Sequence, residues 1–117
     1  MGRLHEQIGL GLERLVVEAG DMAARKGFHD LRPTFGDRLA LIHSEVSEAL
    51  EAYRDTGHLH GWRREDGKPE GVPSELADIV IRVADLCYVE GIDLGGAVAD
   101  KLRHNAGRPH LHGGKAL

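Results

Sequence analysis

The sequence predicts an all-α fold, four helices in a single domain over residues 1–117, on three observations. Apolar residues recur at spacings of three and four through most of the chain, glycine and proline gather between those stretches, and no run alternates with the period of two that a half-buried strand needs. With 117 residues and 41% hydrophobic content, one domain with a packed core is expected.

The elements follow in order. From Arg3 to about Lys26, Leu4, Ile8, Leu12, Leu15, Val16 and Ala19 share one face of a first helix. Gly27 to Pro33 carries turn residues, after which Thr34 and Asp37 mark a helix start with an acid in its first turn. That second helix should reach about Arg54. Residues 55–72 contain Gly57, Gly61, Gly67, Pro69 and Gly71 without periodicity, and so predict a connection. It is longer than most in compact domains, and such loops are usually functional or disordered. Pro73 suits the first turn of a third helix, because its missing N–H has no partner there, and Gly91 should end that helix after Glu90. Asp93 can cap a fourth helix through Leu94, Ala97, Val98 and Leu102, ended by Gly107 and Pro109.

Charge and composition narrow the class. A formal net charge of −4 repels a nucleic-acid backbone, so polymeric DNA or RNA is not an expected partner. A polyphosphate remains open if cations sit between the two sets of negative charge. The single Cys87 excludes an intrachain disulfide framework, and nothing near Met1 reads as a signal segment, so a reducing, cytoplasmic setting is expected. No run approaches the roughly 18 apolar residues that cross a bilayer, so no membrane partner is expected either.

The third helix carries the chemistry. Leu76, Ala77, Ile79, Val80, Ile81, Val83, Ala84, Leu86, Cys87 and Val89 wrap nearly its whole circumference, which predicts burial. Its polar exceptions are Glu75, Asp78, Arg82 and Asp85, which at helical pitch fall in one stripe about 80° wide. On the second helix Glu45 and Glu48 lie one turn apart, and Glu45 falls inside the apolar arc made by Leu39, Ile42, Val46, Ala49, Leu50 and Tyr53. Burying an unpaired charge costs several kcal/mol, so an acid placed there needs a partner. Packing the two seams together would gather Glu45, Glu48, Glu75 and Asp78 into four like-charged oxygen donors. Such a set suits Mg²⁺, with Mn²⁺ as a substitute, and Mg²⁺ completes its shell with water and substrate phosphates. A plainer alternative pairs Asp78 with Arg82 four residues on.

These residues resemble the MazG-like family of all-α nucleotide pyrophosphohydrolases, whose pattern is a Glu-x-x-Glu helix followed by a Glu-x-x-Asp helix. Here the motifs are Glu45-Val-Ser-Glu48 and Glu75-Leu-Ala-Asp78, with Ser44 where the family usually has another Glu. The tail is similar to a branch ending in Lys-x-x-x-Asn-x-x-Arg-Pro and His-Gly-Gly-Lys, matched by Lys101, Asn105, Arg108, Pro109 and by His112, Gly113, Gly114, Lys115. The resemblance covers about residues 26–115. It implies Mg²⁺-dependent hydrolysis of a nucleoside triphosphate, such as a dNTP, to monophosphate and pyrophosphate by a homo-oligomer, dimer or tetramer, in nucleotide-pool house-cleaning.

The remaining expectations attach to that scheme. Lys101, Asn105 and Arg108 recur at i, i+4 and i+7 on one helix face and could grip phosphate oxygens, with Lys115 as a further cation in the tail. Trp62, or Phe28 with His29, could stack on a nucleobase, while Trp62 could equally pack over the bundle or in a subunit contact. Glu48 is the choice for orienting or deprotonating the attacking water. His29-Asp30 could suggest a metal-dependent phosphohydrolase of the histidine-aspartate type, but the other ligands of such a site are not apparent. His58-Leu59-His60 and His110-Leu111-His112 could bind a transition metal only if they converge. A di-iron carboxylate bundle would need Glu-x-x-His pairs, and none occurs. The non-enzymatic rival is a helical interaction module whose acidic seam meets a basic partner.

Overall fold

Residues 2–109 are described in a computed structural model, and their helix ends follow local chemistry. Helix α1 runs Gly2–Arg25 and is followed by a short 3₁₀ turn, Phe28–Leu31. Helix α2, Phe35–Thr56, opens on a reciprocal capping box: Asp37 N–H donates to Thr34 Oγ1 and Thr34 N–H donates to Asp37 Oδ2, both at 3.0 Å. Helix α3, Val72–Glu90, has its proline in the first turn and ends at Gly91, whose φ of 68° is the left-handed conformation that glycine adopts without a Cβ penalty. Helix α4, Leu94–Ala106, is capped by Asp93, which accepts from Gly96 N–H at 2.9 Å.

The connection between α2 and α3 is more ordered than its sequence predicts. Trp62–Arg63 (β1) pairs antiparallel with Pro69–Glu70 (β2), in the register Trp62 to Glu70 and Arg63 to Pro69. Two-residue strands are too short to alternate detectably, so the expectation of no strand fails here for want of signal. The hairpin is held at its tip, where Lys68 N–H donates to Asp66 Oδ1 at 3.1 Å and Arg63 Nη1 donates to the Gly67 carbonyl at 3.0 Å.

Packing is by pairs. α3 lies between α1 and α2, and α4 packs on the side of α1, giving the spatial order α4, α1, α3, α2. The core sits between α1 and α3, where Val16, Ala19, Ala84 and Cys87 are buried and Leu15, Val83 and Leu94 close over them. Glycines let the helices approach. A Cβ on Gly95 would strike the carbonyl oxygen of Gly9 across the α1–α4 contact, and one on Gly20 would strike the Tyr88 ring across the α1–α3 contact.

This arrangement corrects the expected burial of α3. Its Ala84, Leu86 and Cys87 are buried, but Leu76 is 51% and Val80 48% exposed, because α1 and α2 cover only two of its sides. No described helix is long and apolar enough to cross a membrane.

Candidate metal centre

α2 and α3 meet along a polar ladder built from the stripe on α3. One end is a carboxylate cluster. Glu45 and Glu48 from α2 and Glu75 from α3 each offer an oxygen, and these three atoms lie within 4.8 Å of one another. Glu45 is buried, as its place in the apolar arc requires, while Glu75 is half-buried and Glu48 exposed. Asp78 stands just outside the triad on the exposed edge of α3, near enough to Glu45 to feel its charge.

The like charges show in their proton affinities. Glu48 is raised above the usual carboxylate range, first because a proton on it can be donated to the Glu45 carboxyl, then by the Glu45 charge. Glu75 is raised mainly by burial, with the charges of Glu48 and Asp78 adding to it. Asp78 is raised by burial and by Glu45, against the opposing pull of Arg82 and Lys68.

Arg82 is the group whose placement the sequence leaves open. Its Nε donates to Glu45 Oε1 at 2.6 Å, across the helix interface, so the expected alternative of an Asp78–Arg82 pair within α3 is not the arrangement found. The second oxygen, Glu45 Oε2, is buried without any hydrogen-bond donor. A carboxylate in that condition fits a cation, and the donor set of Glu45, Glu48 and Glu75 is all oxygen, as a hard divalent ion requires.

Asp85, at the other end of the stripe, belongs to a separate cluster. It accepts from His29 Nε2 at 2.8 Å and lies 3.5 Å from Arg38 Nη1, and the His29 ring stacks on Tyr88 with centroids 5.8 Å apart. Tyr88 in turn donates to Asp21 at 2.9 Å. His29 therefore ties the 3₁₀ turn to α3 through Asp85 rather than forming a ligand pair with Asp30.

The hairpin stands over the start of α3. Lys68 lowers Asp78 and Glu70 raises Glu75, so both act on the cluster through charge, and neither was signalled by spacing in the sequence. Trp62 is half-exposed on β1 and lines a shallow groove of about 250 Å³ with Arg63, Pro69, Glu70, Pro73 and Ser74. His58 meets the Trp62 ring edge-on at 6.4 Å, and the His60 ring lies tilted against His58 at 5.5 Å. Because His58 Nδ1 accepts from His60 N–H, the neutral His58 ring carries its proton on Nε2 and offers no free lone pair to a metal.

The expected phosphate grip is not assembled with the carboxylates within one chain. Lys101 and Asn105 are exposed on α4 and Arg108 lies two residues beyond its end; α4 packs on α1, whereas the cluster lies between α2 and α3. Lys115, His110 and His112 lie outside the described residues. Comparison of the chain with protein-family models, with curated proteins and with solved structures finds no match.

Proposed function

We propose that the protein hydrolyses a nucleoside triphosphate, such as a dNTP, to the monophosphate and pyrophosphate with Mg²⁺, as a MazG-like helical homo-oligomer. The observation that carries this reading is the meeting of Glu45, Glu48 and Glu75 with one buried Glu45 oxygen left without a donor.

Glu45, Glu48 and Glu75 would hold the metal, with Asp78 at the edge of the set. Bound Mg²⁺ would neutralise the triphosphate and acidify water. In the bond change, a water oxygen adds to the α-phosphorus and the bond to the β-phosphate's bridging oxygen breaks, releasing pyrophosphate. Glu48 is suited to take the water's proton, since it is exposed on the cluster and the neighbouring Glu45 raises its proton affinity above that of an ordinary carboxylate. Lys101, Asn105 and Arg108 would serve the phosphates only if a second copy brings its α4 to the cluster. Trp62, beside its groove, offers a stacking surface for the base.

A panel of nucleoside triphosphates, with and without Mg²⁺ and with product analysis, tests the reading. Monophosphate and pyrophosphate should form only with metal, and Glu48→Gln should slow the reaction by about a hundredfold or more. Diphosphate and phosphate as products would overturn the bond assignment. No hydrolysis of any nucleotide would favour the helical interaction module.

A further inference from the structure

We infer that Arg82 is the resident counter-ion of the carboxylate cluster, holding Glu45 in the cation's place until a divalent ion displaces it, after which its guanidinium is free for a phosphate group. The inference rests on the metal-site reading above and assigns a role to a residue outside the four expected ligands.

Three observations carry it. Arg82 reaches Glu45 from the neighbouring helix, and its Nε–Oε1 distance of 2.6 Å is that of a charge-assisted hydrogen bond. The partners differ in exposure: 9% of the Glu45 side chain is accessible against 44% of the Arg82 side chain. Glu45 is therefore fixed inside the seam, whereas the arginine comes in from solvent and can leave without opening the core. Finally, the pair is incomplete, because Glu45 Oε2 remains buried with no donor while Oε1 is taken. A guanidinium can present two parallel N–H groups to a carboxylate, and here it satisfies one oxygen only.

Electrostatics gives the direction of exchange. Without metal, one guanidinium stands against Glu45, Glu48, Glu75 and Asp78, and it lowers the proton affinity of Glu48 and Asp78. A divalent ion among the three close oxygens supplies twice the charge and is repelled by the arginine beside it. Arg82 therefore competes with the metal at Glu45. Once displaced, its planar donor fork is matched to phosphate oxygens, which arrive with their own negative charge beside the same cluster.

The test uses the full-length protein and two probes, Mn²⁺ followed by electron paramagnetic resonance and inorganic pyrophosphate titrated calorimetrically at saturating Mg²⁺. Arg82→Gln should bind Mn²⁺ about tenfold more tightly than wild type, since a repelling charge is gone, and pyrophosphate about tenfold more weakly. The opposite signs separate this role from a structural one, which would weaken both. Arg82→Lys keeps the charge but not the donor fork, so it should tighten Mn²⁺ only about threefold. It gives the same comparison if the glutamine variant does not fold without metal. Unchanged or weaker Mn²⁺ binding in the variants, or unchanged pyrophosphate binding, overturns the inference. Absence of Mn²⁺ binding to wild type overturns the metal-site reading along with it, and is a different result.

Discussion

At the scale of residues, the acids of the α2–α3 seam make stability depend on pH with a definite sign. Glu48, Glu75 and Asp78 all hold protons more tightly folded than is usual for a carboxyl. The metal-free fold thus binds more protons than the unfolded chain between the two sets of values, and its stability falls as pH rises through that window. The penalty is absent below the unfolded value of about 4 and complete once the raised values are passed. Asp78→Asn should therefore raise the melting temperature at pH 7 without metal, flatten its pH dependence, and reduce the gain from added Mg²⁺. A lower melting temperature in calorimetry would mean that the pull of Arg82 and Lys68 on Asp78 outweighs repulsion, and Asp78 would then be a structural acid. Much of this was legible in advance: Glu45 inside an apolar arc already demanded a partner. The partner's identity was not, because Arg82 and Asp78 share a stripe and only the packing of side chains across the interface decides that the arginine turns to Glu45. Asp85 was equally ambiguous, since its partners His29 and Arg38 come from segments 56 and 47 residues away.

Elements were legible where their ends are made by local chemistry. Thr34 with Asp37, Gly91, and Asp93 are signals that act within one turn, and the helices begin and end where they stand. The hairpin at Trp62–Arg63 and Pro69–Glu70 has no such local signature beyond its glycines, so it reads as loop. Contacts between elements lend themselves to a paired test. Gly95→Ala puts a methyl group against the Gly9 carbonyl and should cost about 1–3 kcal/mol, read as a drop in melting temperature. Gly11→Ala, on the exposed part of α1 with nothing near its Cβ, should instead stabilise by about 0.5–1 kcal/mol. Equal effects in thermal melts would show that α4 does not depend on close approach to α1. Thr34→Ala should remove the α2 cap at a cost of about 1 kcal/mol while leaving Mn²⁺ binding intact. A matching loss of metal affinity would show that the start of α2 also sets the spacing of Glu45 and Glu48.

For the whole molecule, the pairwise stacking of helices leaves a spread-out chain. Its radius of gyration is 16.8 Å, against about 13 Å expected for a compact domain of this length. Leu39, Val46, Leu50, Leu76, Val80 and Ile81 are all substantially exposed on α2 and α3, the helices that carry the acids. Sedimentation at micromolar concentration should therefore give at least a dimer, and a monomer with full hydrolytic activity would refute the assembled form of the proposal. Lys101→Ala and Arg108→Ala should weaken nucleotide use with little change in melting temperature, because exposed residues seldom carry much stability. If either variant unfolds at room temperature, its residue holds the fold together instead. The order of the stack also bears on how the chain acquires its structure during synthesis. α1 and α2 leave the ribosome before α3 and α4, yet each packs mainly against helices that follow, and the Gly95 N–H to Glu13 Oε1 bond joins residues 82 apart. Closing such long loops slows folding relative to helical bundles whose neighbours are consecutive. Until α3 is made, the two earlier helices have no common core, and their apolar faces stay open to a chaperone while residues 57–90 are translated.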